Sequence, residues 1–301
     1  MTIYSAVGSN KRKTWLVMIL FILFFFMVSY ILGRALGYGL SFAGVMLIIS
    51  GFMSFGSYYY SDKLVIASSG AKEVTKEDYH DFVAAVEDMA IAAGLPTPRT
   101  YVVEDPSPNA FATGRDPKHA AVVATTGLLQ VMKKAELEGV IGHELSHVKD
   151  YDTRLMGVVA ILVGSIAILA DVFMRSLWFG GFKSRDDDRN SNSGIFMILA
   201  LILAILAPIA ATLIQLAVSR RREYLADANG ALLTRYPEGL ASALEKIAAN
   251  PMALKRASNA TAHLYIENPF KADTGRKTSW LMNLFSTHPP VEDRIRILRS
   301  M

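Results

Sequence analysis

The chain has 301 residues, 52% of them hydrophobic, with a mean hydropathy of +0.30 and a formal net charge of +4. That hydropathy is too high for an ordinary soluble protein of this length, and the basic residues cluster beside apolar runs instead of along one helix face, which argues against a nucleic-acid partner. No cysteine is present, so disulfides, thiolate nucleophiles and cysteine-ligated zinc are excluded, and the lack fits a reducing compartment.

Four segments reach the length that a bilayer core demands, about 20 mostly apolar residues. They are Thr14 to Leu32, Leu40 to Tyr60, about Leu155 to Phe179, and Gly194 to Val218. The second closes on three tyrosines suited to a membrane interface. Lys11, Arg12 and Lys13 precede the first, as in a secretory signal, but its apolar run is long and no A-x-A site follows, so it reads as an uncleaved anchor. Lys11 to Lys13 before span one and Arg220 to Arg222 after span four both point to the cytoplasm, although Lys183, Arg185 and Arg189 in the loop after span three weaken the bias. Asp171 is expected at the far interface, with Arg175 nearby, and Pro208 is expected to kink span four.

Between spans two and three, Ser61 to Asp150 reads as an α+β unit. Thr75 with Asp78 three later opens a helix that ends at Gly94, and Phe82, Val83, Val86 and Met89 give it one apolar face. "RTYVVE" and "HAAVVAT" read as strands, with "NAFATG" between them. A further helix starts near Lys134 and is expected to run through "HELSHVKDYDTR" straight into span three. The tail after Arg222 is Ala-rich and helical, interrupted by Pro237, Pro251 and Pro269.

"HELSH" carries the chemistry. On a helix, positions i and i+4 share a face, so His143 and His147 can hold one metal, and imidazole suits zinc at about 2.0–2.1 Å. Glu144 is placed to reach a water at the metal and not the metal itself, taking the water's proton and delivering it to a leaving amine. Zinc would acidify that water and polarise a scissile carbonyl. Catalytic zinc usually has three protein ligands, so one is still to be found. "RRREYLADANG" puts Glu223 and Asp227 four apart on one helix face. Glu223 reads as the third ligand with Asp227 holding a histidine ring through its free N–H, or else both acids merely offset Arg220 to Arg222.

"HELSH", "SRRREYLAD", "NAFATG" and "FSTHPP", in this order around four spans, resemble the HtpX family of membrane-bound zinc metalloproteases over nearly the whole chain. The wider superfamily, which includes the CAAX prenyl endopeptidases, is similar in the helix pair but has more spans. The resemblance implies a gluzincin site with one Zn2+ per chain: His143, His147 and Glu223 as ligands and Glu144 as base. It also implies cleavage of unfolded or damaged membrane proteins at the cytoplasmic face of a bacterial inner membrane, in company with other quality-control proteases. No departure from the family pattern occurs at these positions.

Two motifs have plainer alternatives. Asn109, Ala110, Phe111, Ala112 and Thr113 can offer a sheet edge on which a substrate adds as an extended strand, or they are a turn feeding a buried strand. His288 precedes a helix opened by Pro289 and Pro290, with Val291, Ile295 and Leu298 on its packing face, and can instead stabilise an oxyanion. His80, His119 and His263 lie outside any ligand spacing.

The expected fold is a membrane α+β protein: four transmembrane helices carrying a mainly helical, zincin-like cytoplasmic domain with a small β-sheet. Residues 1–60 form the anchor, 61–153 the α+β part with the HExxH helix, 154–219 a transmembrane hairpin, and 220–301 the helical part with the third ligand. Antiparallel spans three and four would bring His143, His147 and Glu223 together at one membrane surface. An intramembrane protease is disfavoured by Lys133, Lys134, Glu136, Glu138, Lys149 and Asp150 around the motif. A channel or transporter is disfavoured because the spans lack paired charges or a Gly/Pro-broken pair.

Overall fold

The sheet is built around two short β-rich runs that are largely buried on both faces. In the computed structural model, which describes residues 3–35, 39–178, 220–255, 261–267, 269 and 289–301, its strands are β1 (Lys72–Glu73), β2 (Arg99–Val103), β3 (Ala110–Thr113) and β4 (Ala121–Thr125). Their order is β1-β2-β4-β3, with β2 and β4 parallel and the outer pairs antiparallel. Successive residues of a strand point to opposite faces. Val122 and Ala124 therefore enter one core, with Phe82, Val86, Ile141, Leu145 and Leu244, while Ala121 and Val123 enter another with Val65, Phe111 and Tyr265. A strand buried on both sides has no polar alternation, which is why "AAVVAT" is continuously apolar.

The first core joins the sheet to α3 (His80–Ala93), α5 (Lys134–Lys149) and two helices of the C-terminal part. α3 ends as expected at Gly94, whose φ of 67° is cheap for glycine. Its start differs. Thr75 and Asp78 do hydrogen-bond each other, at 3.0 Å from the Thr75 N–H, but they close a separate turn and the helix begins at His80. A short helix α4 (Thr126–Val131) follows β4, capped by the Thr125 hydroxyl.

The N-terminal helices are α1 (Ile3–Ala35) and α2 (Gly39–Ser69), and α6 spans Asp152–Trp178. Val17, Phe21 and Phe25 of α1 pack on Leu155, Val158 and Leu162 of α6, and Trp15 stacks on Tyr58 with centroids 5.8 Å apart. Among the described residues one helix, Val7–Tyr30, is long and apolar enough to cross a membrane. Span two proves to be part of a longer helix than expected. α2 continues beyond Tyr60 to Ser69, because Val65 and Ile66 keep the helical period and bury against Tyr101, Val103 and Phe111. Expected span four, its preceding loop with Lys183, Asp187 and Arg189, Pro208 and His288 lie outside the described residues, as does the side chain of Asp171.

The expected continuous passage from the HExxH helix into span three is corrected. α5 stops at Lys149, and Tyr151 adopts φ 61°, a left-handed conformation that interrupts the helical ladder before α6 starts at Asp152. The Tyr151 ring is held between Lys11 and Arg154, whose charged groups lie 4.3 and 4.7 Å from its centroid.

The C-terminal part contributes α7 (Arg220–Thr234), α8 (Pro237–Ala249) and α9 (Val291–Arg299). Pro237 opens α8 where it was expected to interrupt a helix; proline at the first helical turn removes no needed N–H. α5 and α7 cross at glycines. A β-carbon on Gly230 would stand 2.9 Å from the His143 nitrogen, so only glycine lets the backbones come this near.

Candidate active site

α5 is a strong local helix before it is a site. Glu136 accepts from the Lys133 N–H at 2.7 Å, fixing the first turn, and is itself held by Lys246 and Ser242, each at 2.6 Å. Leu137, Val140, Ile141, Leu145 and Val148 bury its other faces. Four-residue spacing then puts His143 and His147 side by side, their Nε2 atoms 3.2 Å apart.

α7 brings Glu223 to the same point. Its Oε2 lies 3.8 Å from His143 Nε2 and its Oε1 3.6 Å from His147 Nε2, and all three side chains are buried. Bonds of about 2.0–2.1 Å at tetrahedral angles place donor atoms about 3.3–3.4 Å apart. The two imidazole nitrogens, 3.2 Å apart, match that spacing, and Glu223 presents one oxygen to each at 3.8 and 3.6 Å, so a small turn of its carboxylate completes the set. Two neutral imidazoles and one carboxylate are a donor set used for zinc.

Each remaining imidazole nitrogen faces a carboxylate. Asp227 Oδ1 is 2.9 Å from His143 Nδ1, and Asp152 Oδ2 is 3.0 Å from His147 Nδ1. Such partners fix which ring nitrogen is left for a metal. With no ion present, burial opposes charge on His147, but the Asp152 hydrogen bond and the Glu223, Asp152 and Glu144 charges raise its pKa to about 9, so a metal ion at Nε2 would displace a proton. The two carboxylates are secured by arginines. Arg294 of α9, fully buried, reaches Asp227 with Nε at 2.8 Å and Nη2 at 2.7 Å. Burial alone would raise the Asp227 pKa; the Arg294 charge and hydrogen bonds overcome it and hold it at about 2. Arg222 Nη1 donates to Asp152 at 2.6 Å, and Asn10 Nδ2 donates to the same oxygen at 2.6 Å.

Glu144 points from α5 to the sheet. Ala112 N–H donates to its Oε2 at 2.8 Å, and burial pushes its carboxyl pKa up against the opposing charges of His143 and His147. β3 is the edge of the sheet, and all of Asn109 to Thr113 is buried. That edge is already partly occupied. Ile266 N–H donates to Ala110 O at 3.0 Å, Asn109 Nδ2 donates to Glu267 O at 3.1 Å, and Phe111 meets Tyr265 edge-on.

The structure thus gathers His143, Glu144, His147, Glu223 and Asp227 at one point, with Ala112 against Glu144. His80 and His119 lie at the surface, and buried His263 contacts Met156 O at 3.1 Å. Sequence reasoning missed Asp152, Arg222, Asn10 and Arg294. For Arg294 a signal existed: it lies three residues after Val291 and four before Leu298, on the apolar face of α9. A charge on that face implies a buried partner.

The donor set is one that holds zinc, and the sequence relatives make the chain a metallopeptidase. A profile of peptidase family M48 matches residues 77–301. A protease HtpX homolog of Dictyoglomus thermophilum is 49% identical over 300 residues, covering 100% of this chain and 95% of its own length. HtpX homologs of Thermoanaerobacter pseudethanolicus and Tropheryma whipplei are each 46% identical, covering 100% and 99% of this chain and 98% of their own length. A crystal structure of S. mikatae Ste24p superposes with TM-score 0.48 at 17% identity over 94% of this chain and 62% of its own length. The chain belongs to peptidase family M48 and, within it, to the HtpX proteases. That family implies zinc, and the buried His143, His147 and Glu223 group fits it.

Proposed function

We propose that this chain is a membrane-anchored zinc endopeptidase that cleaves unfolded or damaged membrane proteins at the cytoplasmic face of a bacterial inner membrane. The observation that carries the reading is the convergence of two helices from either side of the hydrophobic segments on one buried three-donor site. When bound, zinc supplies Lewis acidity. His143, His147 and Glu223 would hold it, and Asp227 and Asp152 would keep the imidazoles oriented. Glu144 takes the proton of an attacking water as its oxygen adds to the scissile carbonyl, then returns that proton to the departing amine. Of the Asn109–Thr113 edge, Asn109 and Ala110 are taken by Glu267 and Ile266, so the backbone at Ala112 and Thr113 would align the peptide, and His288 would donate to the oxyanion.

The membrane assignment is supported by apolar surface on α1 and α2. Leu16, Ile19, Leu23, Ile48, Phe52 and Phe55 are all exposed. Each such side chain forgoes roughly 1.5–3 kcal/mol if left in water, so a continuous band of them calls for lipid. Lys11 to Lys13 and Arg220 to Arg222 at the ends of the apolar segments support the cytoplasmic orientation. A reporter fused at Asp187 is expected to read as exterior, and reporters at Lys72 or after Met301 as cytoplasmic. An exterior Lys72 reporter would rule out cytoplasmic cleavage.

Zinc-dependent cleavage of an unfolded protein by the detergent-purified chain tests the activity, and failure there under full zinc loading would overturn it. The ligand assignment has its own test. Glu223 is fixed by the close α5–α7 crossing, whereas an oxyanion donor can close onto bound substrate. Glu223→Ala is expected to lose most of its zinc, while His288→Ala keeps zinc and lowers kcat. Zinc retained in the first and lost in the second would exchange the two roles.

A further inference from the structure

Behind the metal site, and sharing Asn10, Asp152 and Arg222 with its support, α1, the turn at Asp150 and α7 enclose a cavity of about 260 Å³. Its walls include Ser9, Asn10, Lys13, Asp150, Arg221 and Arg222. The volume is near the lower end of small-ligand sites, about 300–1,000 Å³, and suits a headgroup better than a whole lipid. Charge on the walls does not balance. Arg222 pairs with Asp152 at 2.6 Å, so Lys13, Arg221 and Asp150 leave the walls with one positive charge in surplus.

A second observation is independent of that surplus. The Arg222 side chain is only 10% exposed, and its Nε is buried without an acceptor among the described residues. Leaving a buried donor unmet costs roughly 1–3 kcal/mol, more for a charged group, so an acceptor arriving here recovers it. The surroundings specify what kind. One and two turns beyond Lys13 on the same face of α1, Leu16 and Leu20 are exposed and apolar, and on the membrane reading proposed above, on which this inference rests, they lie in lipid. A ligand with an anionic head and acyl tails matches both parts, and cationic pockets at a membrane boundary select such lipids.

We propose that this cavity binds the phosphodiester headgroup of an anionic glycerophospholipid, with Lys13, Arg221 and Arg222 Nε as its donors. Inorganic phosphate shares the charge but lacks the tails, and is expected to bind far more weakly. Arg222 also holds Asp152 against His147, so the test leaves it intact.

The zinc-loaded full chain in neutral detergent is titrated with dioctanoyl phosphatidylglycerol, dioctanoyl phosphatidylcholine and inorganic phosphate, and occupancy is read by native mass spectrometry. Phosphatidylglycerol is expected to bind one per chain, with the other two weaker by roughly tenfold or more. Lys13→Gln with Arg221→Gln is expected to weaken phosphatidylglycerol by roughly tenfold through lost charge-assisted contacts while keeping its zinc. Arg12→Gln with Arg220→Gln removes the same charge from exposed positions that do not line the cavity, and is expected to change affinity by less than about twofold. Equal weakening in both double variants would reduce the site to diffuse surface attraction. Unchanged binding in the first, or phosphate binding as tightly as the lipid, would also overturn the proposal.

Discussion

Glu144→Gln is expected to bind zinc stoichiometrically and to lose peptide cleavage by several orders of magnitude. Glutamine is nearly isosteric, and its amide oxygen can still accept from Ala112 N–H, as the carboxylate does at 2.8 Å. What it cannot do is take a proton, and general-base catalysis by a positioned side chain contributes about 10²–10⁴-fold. The loss should fall on kcat with little change in KM, because substrate contacts are untouched. Metal analysis and single-turnover cleavage of an unfolded protein check the two halves separately. A variant that loses zinc would show Glu144 to be a ligand and not the base. Wild type at high concentration is expected to degrade itself, so this variant should also purify more cleanly.

Arg294→Met is expected to destabilise the protein by about 3–5 kcal/mol, the usual cost of removing one partner of a buried ion pair. Methionine fills much of the volume, so the loss reports charge more than packing. Asp227 would be left buried without its two guanidinium hydrogen bonds, and Ile266 O would lose its donor, now 2.9 Å away. The pH dependence should change sign. In wild type the Asp227 pKa of about 2 lies below the unfolded value of about 3.9, so its contribution is complete above the unfolded value and is lost as pH falls toward 2. Without Arg294 the folded-state pKa rises above the unfolded one, and this group favours folding more as pH falls. Denaturant midpoints of both proteins at neutral and acid pH measure the effect. A loss below about 1 kcal/mol would mean that the pair is dispensable.

Arg294 also shows where sequence reading falters. A helix at 291–299 with Val291, Ile295 and Leu298 on one face was legible, because helical periodicity is a local property. The arginine on that face has meaning only through distant partners, above all Asp227, 67 positions earlier, and Ile266 O. The sheet edge behaved similarly. Short strands at 99–103 and 121–125 were readable from their composition, whereas Ile266 lying along Ala110 depends on a segment with no strand signature of its own.

By itself the sequence determined the local geometry of His143, Glu144 and His147. His143, Glu144 and His147 take their mutual geometry from 3.6 residues per turn, and nothing distant is needed to put two imidazoles on one face. It also determined the apolar segments, since bilayer thickness and side-chain hydropathy are read residue by residue. Only the tertiary structure decided what surrounds that pair. Five helical steps would carry Asp152 about 140° around from His147, facing away. The left-handed Tyr151 breaks the helix between them and turns Asp152 back to within 3.0 Å of the ring. The close approach of α7, which glycines at the crossing permit, likewise sets Glu223 at the imidazoles. Spacing along a helix fixes local geometry, but a break in the backbone and a crossing of two helices are fixed by packing, which no local pattern records.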